Sequence, residues 1–253
     1  MDKEAFKKEM CALIDKYCED NTDTEMVNIK KETFSKITNK YLNKYFDPET
    51  HIATEENFIK LLDKKIYSKE LIGYKVVVYN TLIGKLITFT IADVNHEQNY
   101  LEGGYYDLIA DGCFYLTNFG ESNHYADSNI REWLNGNFLE GFRESNSEFY
   151  NHLWSFIYKE DDAVYSDIVM IPSITELGFE GYDEYDGGIP YPIFKDNESR
   201  IMNILGKNKK GHYWTRSRRT SGSSYVWCVD TDGSMSYSNY IGSRYLAPLL
   251  RIS

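Results

Sequence analysis

The stretch Tyr213–Ser253, YWTRSRRTSGSSYVWCVDTDGSMSYSNYIGSRYLAPLLRIS, interleaves two compositions. Trp214, Val226, Cys228, Val229, Leu246, Pro248, Leu249, Leu250 and Ile252 form a framework suited to a buried core. Between them stand Ser, Tyr, Asn, Arg and Thr, the residue types of binding loops. Tyr and Trp offer rigid contact area at low entropic cost, while Ser, Gly and Asn adapt their hydrogen bonds. The pattern predicts strands over 213–217, 224–230, 234–240 and 246–252, with Thr231-Asp232-Gly233 as the turn between the middle two. A scaffold carrying a recognition face is the expectation.

Working outward, a period of two begins near Leu71. Tyr74–Tyr79 and Leu86–Ile91 are β-branched and aromatic, with Gly84 in the turn between them. A polar loop over 95–104 leads to a strand region over 105–116. A helix is predicted from Ile130, capped by Asp127 or Ser128, with Ile130, Trp133, Leu134 and Phe138 on one face. A second helical segment is expected over 147–158, a short buried strand over 167–172, one helical turn over 173–178, then loop to Pro192. Strands, helices and a closing meander make an α+β domain.

Residues 1–70 read as helices instead. Phe6, Met10, Leu13, Ile14 and Tyr17 make one stripe; a second, from Met26 to Tyr45, stops at Pro48. A third begins at Thr54, with Glu55 and Glu56 in its first turn and Phe58, Leu61 and Leu62 as its apolar face. The expected organisation is a helical module over 1–70, serving attachment or homo-oligomerisation, and a main domain over 71–253.

Several segments carry a resemblance. Ser128-Asn-Ile-Arg-Glu-Trp-Leu-Asn135 is followed by Asp167-Ile-Val-Met-Ile-Pro-Ser-Ile-Thr-Glu176. Then come Tyr213-Trp-Thr-Arg-Ser217, Asp232-Gly233 and Leu246-Ala-Pro-Leu-Leu-Arg-Ile252. In this order they resemble a family of bacterial and phage domains with a C-type-lectin-like fold, whose members end W-L-R-S-P … D-G … G-V-R-P-A-L. Arg218 stands where that family has proline, and Ala247 where it has arginine. The resemblance implies a C-type-lectin-like domain over 71–253, similar to formylglycine-generating enzymes and to the variable proteins of diversity-generating retroelements. For such a variable protein, the inserts Arg218–Tyr225 and Ser234–Arg244 would be the diversified surface. The cysteine pair of the formylglycine-generating enzymes has no counterpart here, since Cys228 alone lies near the C-terminus.

Charge and chemistry narrow the function. The net charge is −11; residues 1–70 hold 13 Lys against 15 Asp and Glu, so most of the imbalance lies in the main domain. An acidic body argues against nucleic acid, which wants a basic face for its phosphates. The local exception is Lys207, Lys209, Lys210, Arg216, Arg218 and Arg219, expected to be a solvated basic loop. Cys11, Cys18, Cys113 and Cys228 lack metal-type spacing, and the five histidines lack partners at ligand spacing. Asp230-Thr-Asp232-Gly233 is expected to be a turn rather than a calcium loop, and the acidic loop Phe179–Gly188 a solvated insertion. Arg131 and Arg216 are expected to pair with buried carboxylates such as Asp167 or Glu176, and Trp133 and Trp214 to be core. No catalytic set, no metal site and no cofactor is expected.

The chain has no membrane-length apolar run and starts without a secretory segment, so cytoplasmic synthesis is expected, followed by virion association or export without a Sec signal. The predicted function is non-enzymatic recognition of a protein or glycan ligand on a cell surface. The contacts would be Arg219, Ser223, Tyr225, Trp227, Ser236, Tyr237, Asn239, Tyr240 and Arg244. The alternative is a structural virion or assembly component with a fixed protein partner.

Overall fold

A computed structural model describes residues 42–96, 104–180, 188–219 and 223–253. The helical stripes expected over 6–17 and 26–41, Cys11 and Cys18, the polar loop 97–103 and the acidic core of the 181–187 loop lie outside these residues. The mixed α+β composition is as expected.

The first sheet is ordered β1 (Ile52–Thr54), β2 (Lys75–Asn80), β3 (Lys85–Val94), β4 (Tyr106–Ala110), β15 (Leu249–Ile252), β6 (Leu153–Trp154), with β9 (Val169–Met170) also on β15. The second runs β10 (Asn203–Ile204), β5 (Gly112–Asn118), β14 (Ser243–Leu246), β11 (Tyr213–Arg218), β12 (Tyr225–Val229), β13 (Met235–Asn239). A hairpin of β7 (Phe156–Glu160) and β8 (Ala163–Asp167) stands apart from both.

Two of the links between the sheets are short: Asp111 joins β4 to β5, and Ala247-Pro248 joins β14 to β15. The Ala110 amide donates to the Pro248 carbonyl at 2.9 Å and ties one link to the other. Proline offers no N–H to a ladder, so the strand expected over 246–252 divides there. Ala247 is fully buried at this corner.

The boundary expected at 70/71 does not separate two packed units among the described residues. Ile52–Thr54 pairs with β2 in parallel register, and the helix α1 (Glu55–Asp63) buries Phe58, Leu61 and Leu62 in the same core as Val76 and Phe89. Leu42 and Phe46 join that core. Thr54 caps α1 as its sequence position suggested, accepting from the Asn57 amide at 3.3 Å. A three-residue strand ahead of it carries too short a pattern to be read from sequence.

The helix read from Ile130 comprises α2 (Asn129–Trp133), a π-helical turn over Leu134–Phe138, and α3 (Leu139–Ser145). Ser128 caps it, with its hydroxyl accepting from the Arg131 amide. The π turn presents Asn135 to the backbone of β9. Its amide donates to the Val169 carbonyl at 2.8 Å and accepts from the Ile168 and Val169 amides at 2.9 and 3.0 Å. The segment 147–158 is helical only in α4 (Ser147–His152). From Phe156 the period of two prevails, with Phe156 and Tyr158 inward and Ile157 outward.

Three arginine–carboxylate pairs lock these elements. Arg131 Nε donates to both oxygens of Asp167 at 2.9 Å, joining α2 to β8. Arg216 forks onto Glu176, with Nη2 at 2.8 Å from Oε1 and Nη1 on Oε2, both side chains buried. Arg251 holds Asp107 through Nε and Nη2 at 2.8 and 3.0 Å, joining β15 to β4. The first two pairings are those expected from the motifs. Ser173 completes the Glu176 site: its amide donates to Oε2, and its hydroxyl accepts from the Glu176 amide. Burial favours the neutral acid, but Arg216 and the Ser173 amide hold the Glu176 carboxyl below the usual carboxylate range.

Removing one partner of such a pair leaves a buried charge uncompensated, at a cost of about 3–5 kcal/mol. Glu176→Ala is therefore expected to lower the unfolding free energy by about that amount in urea titrations, whereas Glu140→Ala, at an exposed pair with Arg143, leaves the midpoint near wild type. Because the Glu176 value is depressed on folding, its contribution is present above the unfolded-state value and is lost as pH falls through the folded-state one. The wild type should thus lose more stability on acidification than Glu176→Ala does, and equal losses would refute the assignment.

Candidate functional site

The β12–β13 hairpin closes the second sheet and carries most of the residues expected to bind. Its register is unbroken: Tyr225 opposes Asn239, Val226 opposes Ser238, Trp227 opposes Tyr237, Cys228 opposes Ser236 and Val229 opposes Met235. Gly233 makes the turn at φ +79°, where a Cβ would also run into the Asn197 carbonyl, so only glycine serves. Asp230 and Asp232 both bond into this turn, and Asp230 Oδ1 also lies 3.0 Å from His212 Nδ1. Asp230 Oδ1 accepts from the Thr231 amide at 2.6 Å, and Asp232 Oδ1 from the Ser234 amide and hydroxyl at 2.9 and 2.6 Å.

Strand alternation sorts the tail into two faces. Val226 and Cys228 point into the core, and Ser236 and Ser238 share their side. Tyr225, Trp227, Tyr237 and Asn239 share the other. There Tyr225 and Tyr237 meet edge to face at 5.4 Å, and Trp227 meets Tyr237 at 5.9 Å. Tyr225 and Tyr237 are 40% and 47% exposed, which makes them a solvent-facing ledge rather than core. Arg219, just past β11, pairs its amide with the Tyr225 carbonyl and lays its guanidinium 4.0 Å from the Tyr237 ring centre. Trp227 and Tyr225 lie within 6 Å of the same guanidinium.

Five of the nine expected contacts therefore converge: Arg219, Tyr225, Trp227, Tyr237 and Asn239. Asn239 also serves its own turn, accepting from the Ile241 amide. Four do not. Ser236 lies beside the Cys228 thiol on the core side. Arg244 reaches the Trp214 ring at 5.9 Å and donates to the Ser243 carbonyl. Tyr240 is packed against the core while its carbonyl receives the Phe119 amide. Ser223 accepts from the Tyr225 amide at the loop end. Composition alone treats all the tail's Ser, Tyr and Arg positions alike, whereas a period of two sends alternate ones to opposite sides.

The basic cluster expected over 207–219 is dispersed. Arg216 belongs to Glu176, and Arg218 to Asp161, with His124 Nδ1 3.4 Å from the same carboxylate. Arg200 donates to the carbonyls of Leu177 and Gly178. Among the described residues, no carboxylate lies within 4 Å of the Arg219 guanidinium, which rests on aromatic rings.

A second polar group went unforeseen. His96, 5% exposed, has Nδ1 2.8 Å from Asp93 Oδ2 and stacks on Tyr191 at 4.0 Å, while its buried Nε2 has no hydrogen-bond partner among the described residues. The Tyr191 hydroxyl donates to Asp107 Oδ2 at 3.0 Å, and Asp107 is the partner of Arg251. The available signal was Arg251 itself, an arginine inside the apolar run LLRI, which demands a buried counter-charge. Its partner lies 144 residues earlier and carries no local mark.

Burial pushes the Cys113 thiol up to about 12 and raises that of Cys228, so both remain protonated near neutrality. Among the described residues, no group of three or more His, Cys, Asp or Glu side chains could hold a metal ion, and no helix is long and apolar enough to cross a membrane.

Residues 105–253 match the model of the family Domain of unknown function (DUF6273), more than half of the chain, and the chain belongs to that family. The matched segment runs from the start of β4 to the end of β15; β1, α1, β2 and β3 precede it and widen its first sheet. Comparison with curated proteins and with solved structures found no match.

Burial alone would depress His96, but the Asp93 hydrogen bond and the charges of Asp107 and Glu176 outweigh it and raise its value. A raised folded-state value contributes stability that is complete below the unfolded-state histidine value, about 6.5, and disappears as pH rises through the folded-state one. His96→Phe keeps the stack on Tyr191 without the titration. Between pH 6 and 9 the wild type is expected to lose more stability in urea titrations than His96→Phe does, and parallel curves would refute the charged assignment.

Proposed function

We propose that this protein is a non-enzymatic recognition protein whose C-type-lectin-like domain binds a ligand through the outer face of β12–β13 together with Arg219. The observation that carries the reading is the ledge of Tyr225, Trp227 and Tyr237 with an arginine laid across it, on a hairpin whose opposite side is core. Aromatic side chains and arginine dominate binding energy where they cluster at an interface. The ligand is a protein or glycan displayed on a cell surface, met by a chain of phage or bacterial origin.

The C-type-lectin-like reading is supported by closure of the family segment on itself, since β4 and β15, its first and last strands, pair antiparallel. Its likeness to retroelement variable proteins is supported by the division of labour in the hairpin. Tyr225, Trp227, Tyr237 and Asn239 can change without touching Val226 or Cys228, because they sit on the other side of the sheet.

The test is binding of the labelled full chain to glycan and peptide arrays, beside Tyr225→Ala/Tyr237→Ala. Loss of two central aromatic anchors is expected to weaken every genuine hit by about 10-fold or more, with the thermal midpoint little changed. Hits that survive the double substitution would place the site elsewhere, and an absence of hits on both arrays would overturn the reading.

A further inference from the structure

The outer edge of β13 carries an inference about the ligand, resting on the reading of the β12–β13 face just given. β13 ends the order of the second sheet, so among the described residues one side of its backbone has no strand beside it. Apart from its ladder to β12, no backbone hydrogen bond from the described residues engages Met235–Ser238. An edge of this length is usually blunted by lysine, proline, a bulge or an inward-pointing charge. Met235-Ser-Tyr-Ser-Asn239 has none of these, and its register with β12 is unbroken over five pairs.

Arg219 supplies the second, independent observation. Its guanidinium lies on Tyr237, a residue of that edge strand, and no described carboxylate compensates it. The other tail arginines on β11, Arg216 and Arg218, are both held by acids. A planar guanidinium stacked on rings keeps its N–H fork free and oriented for a carboxylate.

We propose that β13 is a docking edge for an extended acidic peptide. The peptide pairs with Met235–Ser238 as an additional strand, and a Glu or Asp on the Tyr237 side sets its carboxylate on Arg219. Successive side chains of an added strand alternate, so the residue two places along faces the same ledge and is apolar or aromatic. A second copy of this chain is the poorer occupant, because two-fold pairing through β13 would bring two uncompensated Arg219 side chains to one side of the joint. The chain's net charge of −11 does not decide the matter at the edge. At physiological salt the screening length is about 8 Å, so the neighbouring guanidinium dominates.

The experiment is selection of a displayed library of random ten-residue peptides on the immobilised full chain, followed by titration of the best synthetic peptide. Recovered sequences are expected to be enriched in alternating acidic and apolar residues. Arg219→Gln and Arg219→Lys should each weaken the peptide 10-fold or more with unchanged thermal midpoints, the lysine because it lacks the fork. N-methylation of alternate amides of the peptide should abolish binding in one phase and spare it in the other, a signature that only strand pairing produces. Peptides that need Tyr225 and Tyr237 but neither Arg219 nor an alternating amide pattern would overturn the docking edge while leaving the binding face intact. Glycan hits lost in Tyr237→Ala, with no acidic peptide recovered, would do the same. Failure of peptides and glycans alike would overturn both, and concentration-dependent dimerisation broken by Tyr237→Pro would assign the edge to a second copy.

Discussion

The buried pair of Glu176 and Arg216 is the interaction on which the rest of the structure depends. It ties the turn after β9 to the centre of β11, the strand from which the β12–β13 hairpin hangs. Two charges taken out of water are costly, and their attraction repays that cost only when the remaining lone pairs and protons are satisfied. Here the carboxylate also accepts the Ser173 amide, and the Ser217 hydroxyl accepts the Ile174 amide alongside. Apolar packing could stabilise the same space, but it would tolerate sliding; a bidentate fork accepts one register. Arg131 with Asp167 and Arg251 with Asp107 repeat the device at two other joints, so the framework is pinned at three places by geometry-specific bonds.

That rigidity fixes the two sides of the hairpin. With β11 held from behind, the outer side of β12 and β13 is free to carry residues that contribute little to folding. Tyr225 and Tyr237 cover one another only in part, and Arg219 covers both. An aromatic ledge that is ordered before a ligand arrives loses little entropy on binding. Below it, Val226 and Cys228 close the core. One strand thus closes the core on one side and holds an exposed aromatic ledge on the other, a separation that only a period of two allows.

Much of this was legible in the residues. The α+β class, the helix from Ile130 with its Ser128 cap, the hairpin at Gly233 and the pairing of Arg131 and Arg216 with acids all follow from local pattern or from motif chemistry. Other features were not. The helical reading of 147–158 failed after His152 because Leu153–Trp154 is recruited by β15, a strand nearly a hundred residues later. The strand Ile52–Thr54 was not legible because it is too short to show a period, yet it completes the sheet beside β2. Asp107, His96 and Tyr191 left no mark because each looks ordinary among its sequence neighbours.

By itself the sequence determined which residues could build a core, where the chain turns, and which types are available to bind, since periodicity, caps and turns are properties of a few adjacent residues. The tertiary structure decided how those residues are divided. It spent Arg216 on an acid 40 positions away and Arg218 on one 57 positions away, turned Ser236 toward Cys228, and left Arg219 lying on Tyr237. Charge is compensated by neighbours in space rather than in sequence. Which arginine each acid holds was therefore settled only when the strands came together.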